Sequence, residues 1–173
     1  MEPTILHFGT PVALLSTVDP DGTPDLAPVA SAWWLGWTCM LGLGQMRQAT
    51  ANLIRTRECV INLPSASLVS QVDRLARSTK FDEAGLTPVA SERVGPPRVE
   101  ECLVQMEGIV HEWRRFGDSG NGYAVEVHVV KLHVREGLLV GCGGRFFNLG
   151  GDGYVSRLAD SKFMTMMAGG RAA

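Results

Sequence analysis

At 173 residues, 45% hydrophobic and 20% charged, with a net charge of −2, the chain has the material for one folded domain and no basic footprint. That balance excludes a disordered tail, a nucleic-acid binder and a protein drawn to an anionic membrane. The first residues lack the basic and apolar runs of a signal peptide, no stretch approaches the roughly 20 apolar residues of a membrane span, and the scattered Cys39, Cys59, Cys102 and Cys142 have no metal spacing, so buried thiols and a cytoplasmic location are expected.

Residues 11–18, PVALLSTV, read as a strand. The run Asp19-Pro20-Asp21-Gly22 supplies turn chemistry, with Pro fixing φ and Gly accepting positive φ. Residues 26–32 then return as the second strand of a hairpin. A third apolar run, residues 37–43, is the most hydrophobic strand candidate. Residues 47–57 change to helix, with Ala49, Leu53 and Ile54 as an apolar stripe. Residues 59–63 are a short buried strand ended by Pro64, and residues 68–76 a second helix.

Residues 77–97 are expected to be loop. Residues 103–113 and 123–134 read as a long hairpin, the second strand alternating Val125, Val127 and Val129 against Glu126, His128 and Val130. The Gly-rich and Met-rich tail from residue 137 takes only short strands. No repeat or composition shift marks a boundary, so residues 1–173 are read as a single domain. Long strands with few short helices predict a mostly β fold, an antiparallel barrel.

The junction Gly42-Leu43-Gly44-Gln45-Met46-Arg47 runs from a strand into a helix. Its GxG lacks the third glycine and the repeated parallel units of a dinucleotide fold. A helix start presents free N–H groups and the positive dipole end, which suit a phosphate, and Arg47, Thr50 and Asn52 add polar groups; a plain solvated helix start fits the same residues. Trp33 and Trp34 face opposite ways in a strand, while Trp37 and Trp113 are expected in the core. His7, His111, His128 and His133 form no metal motif, and no nucleophile–base set is present. No metal and no catalytic residue is assigned. Phe163, Met164, Met166 and Met167 suggest an interface.

The segments PVALLSTVDPDGTPDLAPVAS, RQATANLIRTRECVINLPSASLVSQVDRLA, KFDEAGLTPVAS, PPRVEECLVQMEGIV and AVEVHVVKLHV follow in order over roughly residues 10–135. Together they resemble the flavin reductase-like family of FMN-binding split barrels. The resemblance implies an antiparallel split β-barrel and a flavoprotein oxidoreductase that takes electrons from NAD(P)H to FMN, with FAD as an alternative. It also implies a homodimer with the flavin at the subunit boundary. By that resemblance Ala30, Ser31, Ala32 and Trp33 line the flavin ring and ribityl chain. Gly44, Gln45, Arg47, Gln48, Thr50 and Asn52 hold its phosphate. Where the family carries Thr this chain has Ala49, so Ala49→Thr is expected to restore a phosphate contact. The alternatives are a flavin carrier or sensor without turnover, and a relative that has lost flavin and serves as an interaction module.

Overall fold

The computed structural model describes residues 11–45, 47–117 and 121–135 in full. It gives the backbone alone at residues 8–10, 139–140, 146–147, 154–158 and 163–166. After β1 (Phe8–Pro11), strands β2 (Ala13–Val18) and β3 (Pro24–Val29) form the expected hairpin, Thr17 opposite Asp25. Its turn closes with Gly22 N–H on the Asp19 carbonyl at 3.0 Å, and Gly22 takes φ +87°, which a side chain would strain.

The second strand stops earlier than the sequence suggests. After the corner at Ala30 and Ser31 the chain starts a separate strand, β4 (Ala32–Leu35), paired not with β2 but with β5 (Thr38–Gly44). Gly36, at φ +61°, makes the β4–β5 turn. Helix α1 (Gln48–Thr56) comes next and ends at Arg57, whose left-handed φ of 57° lets its N–H reach the Leu53 carbonyl. Strand β6 (Glu58–Leu63) continues from it. The second helix opens as a 3-10 turn (Ala66–Leu68) before α2 (Val69–Leu75). The stretch expected to be loop contains a helical turn, α3 (Phe81–Ala84), closed by Gly85 at φ +71°, and the small pair β7 (Pro88–Val89) with β8 (Arg98–Val99).

Strands β9 (Val104–Phe116) and β10 (Gly122–Val134) are longer than read, running through the polar residues assigned to their connection. The tail adds β11 (Leu139–Val140), β12 (Phe146–Phe147), β13 (Tyr154–Leu158) and β14 (Phe163–Met166). The side chains of the Met-rich tail, with Met167, Cys142 and His7, lie outside the described residues.

The main sheet is antiparallel in the order β3-β2-β6-β9-β10-β5-β4, with β3 and β4 as open edges: a split barrel. One core fills the space between α1 and the sheet with Leu15, Leu41, Leu53, Ile61, Val125 and Val127. A second packs α2 and α3 on Leu14 and Leu26 of the β2–β3 hairpin. Cys39, Cys59 and Cys102 are buried and free, as expected. Burial pushes the Cys39 thiol up to about 12 and the other two higher still, so none is an available nucleophile.

Trp37 and Trp113, expected in the core, are 63% and 38% exposed. Trp37 comes directly after the Gly36 turn, its carbonyl accepting the Val129 N–H at 2.8 Å, while Trp113 packs edge-on against Tyr123 with ring centroids 5.6 Å apart. Trp33 and Trp34 do alternate: Trp34 packs on the core and Trp33 faces out, 59% exposed.

Candidate functional site

The strand-to-helix junction is built by β5 and the first turn of α1. Alternation sends Cys39, Leu41 and Leu43 into the core and leaves Thr38, Met40, Gly42 and Gly44 on the outer face. Gly42 is required there: a Cβ at that position would stand 2.8 Å from the Ser31 Cβ. Its N–H meets the Ser31 carbonyl at 2.7 Å, so the Ala30–Ser31 corner lies directly on the strand that leads to the helix.

Beyond Gly44 the backbone turns into α1. The Gln45 N–H bonds the Asn121 carbonyl at 2.9 Å, and Arg47, in extended conformation, is the N-cap residue. Its carbonyl takes the N–H groups of Thr50 and Ala51 at 3.1 and 3.4 Å. No side chain caps the helix, and no acidic residue stands in its first turn. The N–H groups of Gln48 and Ala49 therefore have no acceptor among the described residues, at the positive end of the helix dipole. Arg47 is exposed, its guanidinium 3.5 Å from the Pro28 carbonyl, which brings a fixed positive charge over the corner. Gln45 and Gln48 are exposed beside it.

Thr50 and Asn52 differ from their neighbours. The Thr50 hydroxyl is buried and donates to the Gly44 carbonyl at 2.8 Å, clamping the first turn to the strand end. Asn52 is fully buried. Its amide donates to Thr17 Oγ1 at 3.1 Å and to Asp19 Oδ1 at 2.9 Å, and its oxygen accepts from Gln48 at 3.2 Å and from Arg55 at 3.5 Å. Arg55 also donates to the Val18 carbonyl, and Lys80 Nζ lies 3.3 Å from the other Asp19 oxygen. Both residues hold the junction from behind. Ala49 is 2% exposed and packs in the same core cluster as Leu53, so the gain expected from Ala49→Thr is opposed by the cost of fitting a larger side chain into a buried position.

Of the corner residues, Ala30 is buried, Ala32 half-buried and Ser31 exposed. Trp33 stands opposite Met40, which stands opposite Glu126 on β10. These three border a cleft of about 360 Å³ on the outer face, closed on its other side by Trp113 and Arg114. The structure thus lays the corner, the two-glycine face of β5 and the open helix start along one line.

Two buried carboxylates lie outside this line. Asp25 is 1% exposed, accepts from the Thr17 hydroxyl at 3.3 Å and finds no hydrogen-bond partner for its other oxygen among the described residues. Loss of solvent pushes its carboxyl above the ordinary value, and the Asp19 charge adds to this against the hydroxyls of Thr79 and Thr17. Glu107, fully buried, accepts from the N–H groups of Glu92 and Arg93 at 2.9 and 2.6 Å and from His133 Nε2 at 2.6 Å. Burial alone would raise it; these hydrogen bonds outweigh that and hold it below the ordinary value. A second cleft, about 430 Å³, is lined by Arg98, Lys131, His133 and Arg135, but each of these already has a protein acceptor.

The histidines are not arranged as strict alternation suggests. Val129 pairs with Gly108 and Lys131 with Glu107, so Val130 is an extra residue, and His128 and His133 both point away from the main core. His111, Glu126 and His128 come together on that outer face. The sequence carries no signal for this grouping, because a second irregularity, in β9, creates it.

Comparison with known proteins gives consistent results. Residues 5–150 match the family model described as a flavin reductase like domain. An uncharacterized protein of Bacillus subtilis (strain 168), YdfE, is 33% identical over 159 residues, covering 81% of this chain and 77% of its own. Among solved structures, nitrilotriacetate monooxygenase component B from Bacillus cereus superposes with a TM-score of 0.83 at 22% identity, covering 95% of this chain and 88% of that one. An FMN-binding protein from Thermus thermophilus gives 0.79 at 16% identity, covering 100% and 96%.

Proposed function

The chain belongs to the flavin reductase like family, and on that premise we propose that it is a flavoprotein oxidoreductase that binds FMN and passes electrons from NAD(P)H to it. The observation that carries this reading is the helix start at Gln48: two N–H groups without acceptors, no first-turn acid and the exposed Arg47 guanidinium form a cradle for a dianionic phosphate. Four residues back along β5 from Gly44, about 13 Å at strand rise, Met40 and its cross-strand neighbour Trp33 offer an apolar platform for a flat ring. Between them Gly42 and Gly44 leave room for the ribityl chain against the Ser31 corner.

In this reading Arg47, Gln45 and Gln48 touch the phosphate, Ala30 to Trp33 and Gly44 border the ligand, and Thr50 and Asn52 fix the cradle from inside. FAD would place its adenosine beyond the same cradle. The hydride chemistry would come from the flavin's isoalloxazine; the chain's part is to bind, orient and shield it. No acid or base is needed among its side chains.

The same reading has the chain, as a single domain, pair with a second copy. Trp33, Leu35, Ile109 and Val130 are all large, apolar and exposed, at 59%, 77%, 42% and 42%. No helix of the described residues is long and apolar enough to cross a membrane, and use of NAD(P)H fits a cytoplasmic setting.

The test is to titrate the purified chain with FMN by flavin fluorescence, then follow NADH and NADPH oxidation with FMN present. Saturable binding with flavin-dependent oxidation is expected. Binding without oxidation would make the chain a carrier, and absence of binding would defeat the reading.

A further inference from the structure

The outer face of β9 and β10 carries a group of side chains that the flavin reading leaves unused. Glu126 and His128 are two residues apart on β10 and project from the same face, with His128 Nε2 2.9 Å from Glu126 Oε1. β9 supplies the third member through an irregularity. Glu126 pairs with Glu112 and Val127 with Val110, so His111 is an extra residue between them. A bulge of this kind re-aims a side chain that alternation alone would send elsewhere. The His111 ring accordingly stacks on His128, with centroids 4.4 Å apart and planes 9° from parallel. One ligand atom from each of the three residues lies within 4.8 Å of the others.

Packing does not account for the grouping. The His128 and Glu126 side chains are 46% and 32% exposed, and His111 is exposed.

We propose that His111, Glu126 and His128 bind one divalent transition-metal ion, with zinc as the fitting example. Two imidazole nitrogens and a carboxylate oxygen are donors that zinc, nickel and copper accept, whereas calcium and magnesium require oxygen ligands. Zinc bonds of about 2.0–2.1 Å place tetrahedral donors about 3.3 Å apart. The Glu126–His128 pair is already near that spacing, and the remaining donor closes by at most about 1.5 Å through side-chain rotation. Three protein donors leave a fourth position for water. The ion would lock β9 to β10 at their bulge, beside the cleft that Glu126 also lines.

Calorimetric titration of the untagged, flavin-free chain with zinc(II) tests the site without reference to flavin binding. One ion per chain is expected, with calcium unable to compete. His111→Ala and His128→Ala should each weaken zinc more than about 100-fold, beyond the range of residues that merely support a ligand. Glu126→Gln, the mildest change, should weaken it about tenfold or more. Zinc should also raise the melting temperature of the parent chain and leave that of His128→Ala unchanged. Absence of saturable uptake, or uptake that survives both histidine substitutions, overturns the proposal.

Discussion

Asn52 and Arg47 stand five residues apart at the start of one helix, and the regions around them use polar atoms in opposite ways. Around Asn52 both polar atoms are taken up inside the chain: Thr17 and Asp19 accept, Gln48 and Arg55 donate, and Lys80 closes the far side through Asp19. Around Arg47 the polar groups face outward, and the Gln48 and Ala49 amides have no acceptor among the described residues. A folded chain leaves helix-start donors open at no cost only where water or a ligand meets them. The closed region holds α1 to the β2–β3 hairpin, and this fixes where the open one points.

If the division holds, the two regions fail differently. Asn52→Ala should have the largest effect: it strips buried partners from Thr17 and Asp19 and opens a small cavity, costing about 2–4 kcal/mol of stability. Urea denaturation monitored by far-ultraviolet circular dichroism measures this. A loss below about 0.5 kcal/mol, the range of ordinary surface changes, would mean that the network does not hold the helix.

Arg47→Ala tests the open region. The side chain is exposed and its bond to the Pro28 carbonyl is long, so stability should change by less than about 0.5 kcal/mol. On the proposed function, FMN should weaken by about 1.5–3 kcal/mol, while riboflavin, which lacks the phosphate, should hardly change. Equal losses for both ligands would move the phosphate elsewhere and erase the contrast with Asn52.

The contrast was only half legible in the sequence. The hairpin could be read because Val and Leu runs flank Asp19-Pro20-Asp21-Gly22, and α1 because Ala49 and Leu53 fall on one stripe. The open junction was visible as a strand meeting a helix with Arg at its start. The closed network was not, because the two acceptors of the Asn52 amide lie 33 and 35 residues away and meet it only when the hairpin folds over the helix. Ala49 seemed a missing ligand, since a family pattern records residue types and not the face on which each sits. The break between β3 and β4 was hidden because neither Ala30 nor Ser31 signals a corner; the steric demand falls on Gly42. His111, Glu126 and His128 stayed apart on paper because a bulge changes the parity on which any strand reading rests.

The smallest expected effect is also the one whose sign says most about the closed region. Asp25 adjoins the Asn52 network through Thr17 but is its unsatisfied member, buried with one oxygen that has no hydrogen-bond partner among the described residues. Burial raises its carboxyl above the ordinary value of 3.8, so the folded chain binds this proton more tightly than the unfolded chain does. The penalty therefore appears as pH rises through 3.8 and is complete above the raised folded value, hence at neutral pH. Asp25→Asn removes the charge, keeps an oxygen for Thr17 and leaves the Thr79 hydroxyl free to turn. Melting curves should show the variant slightly more stable than the parent at pH 7. The gain should shrink on acidification and vanish below about pH 3.8, where the parent is protonated in both states. A variant less stable at pH 7 would show that attraction between Asp25 and Lys80 exceeds the desolvation cost. Asp25 would then belong to the holding network on the same terms as Asn52.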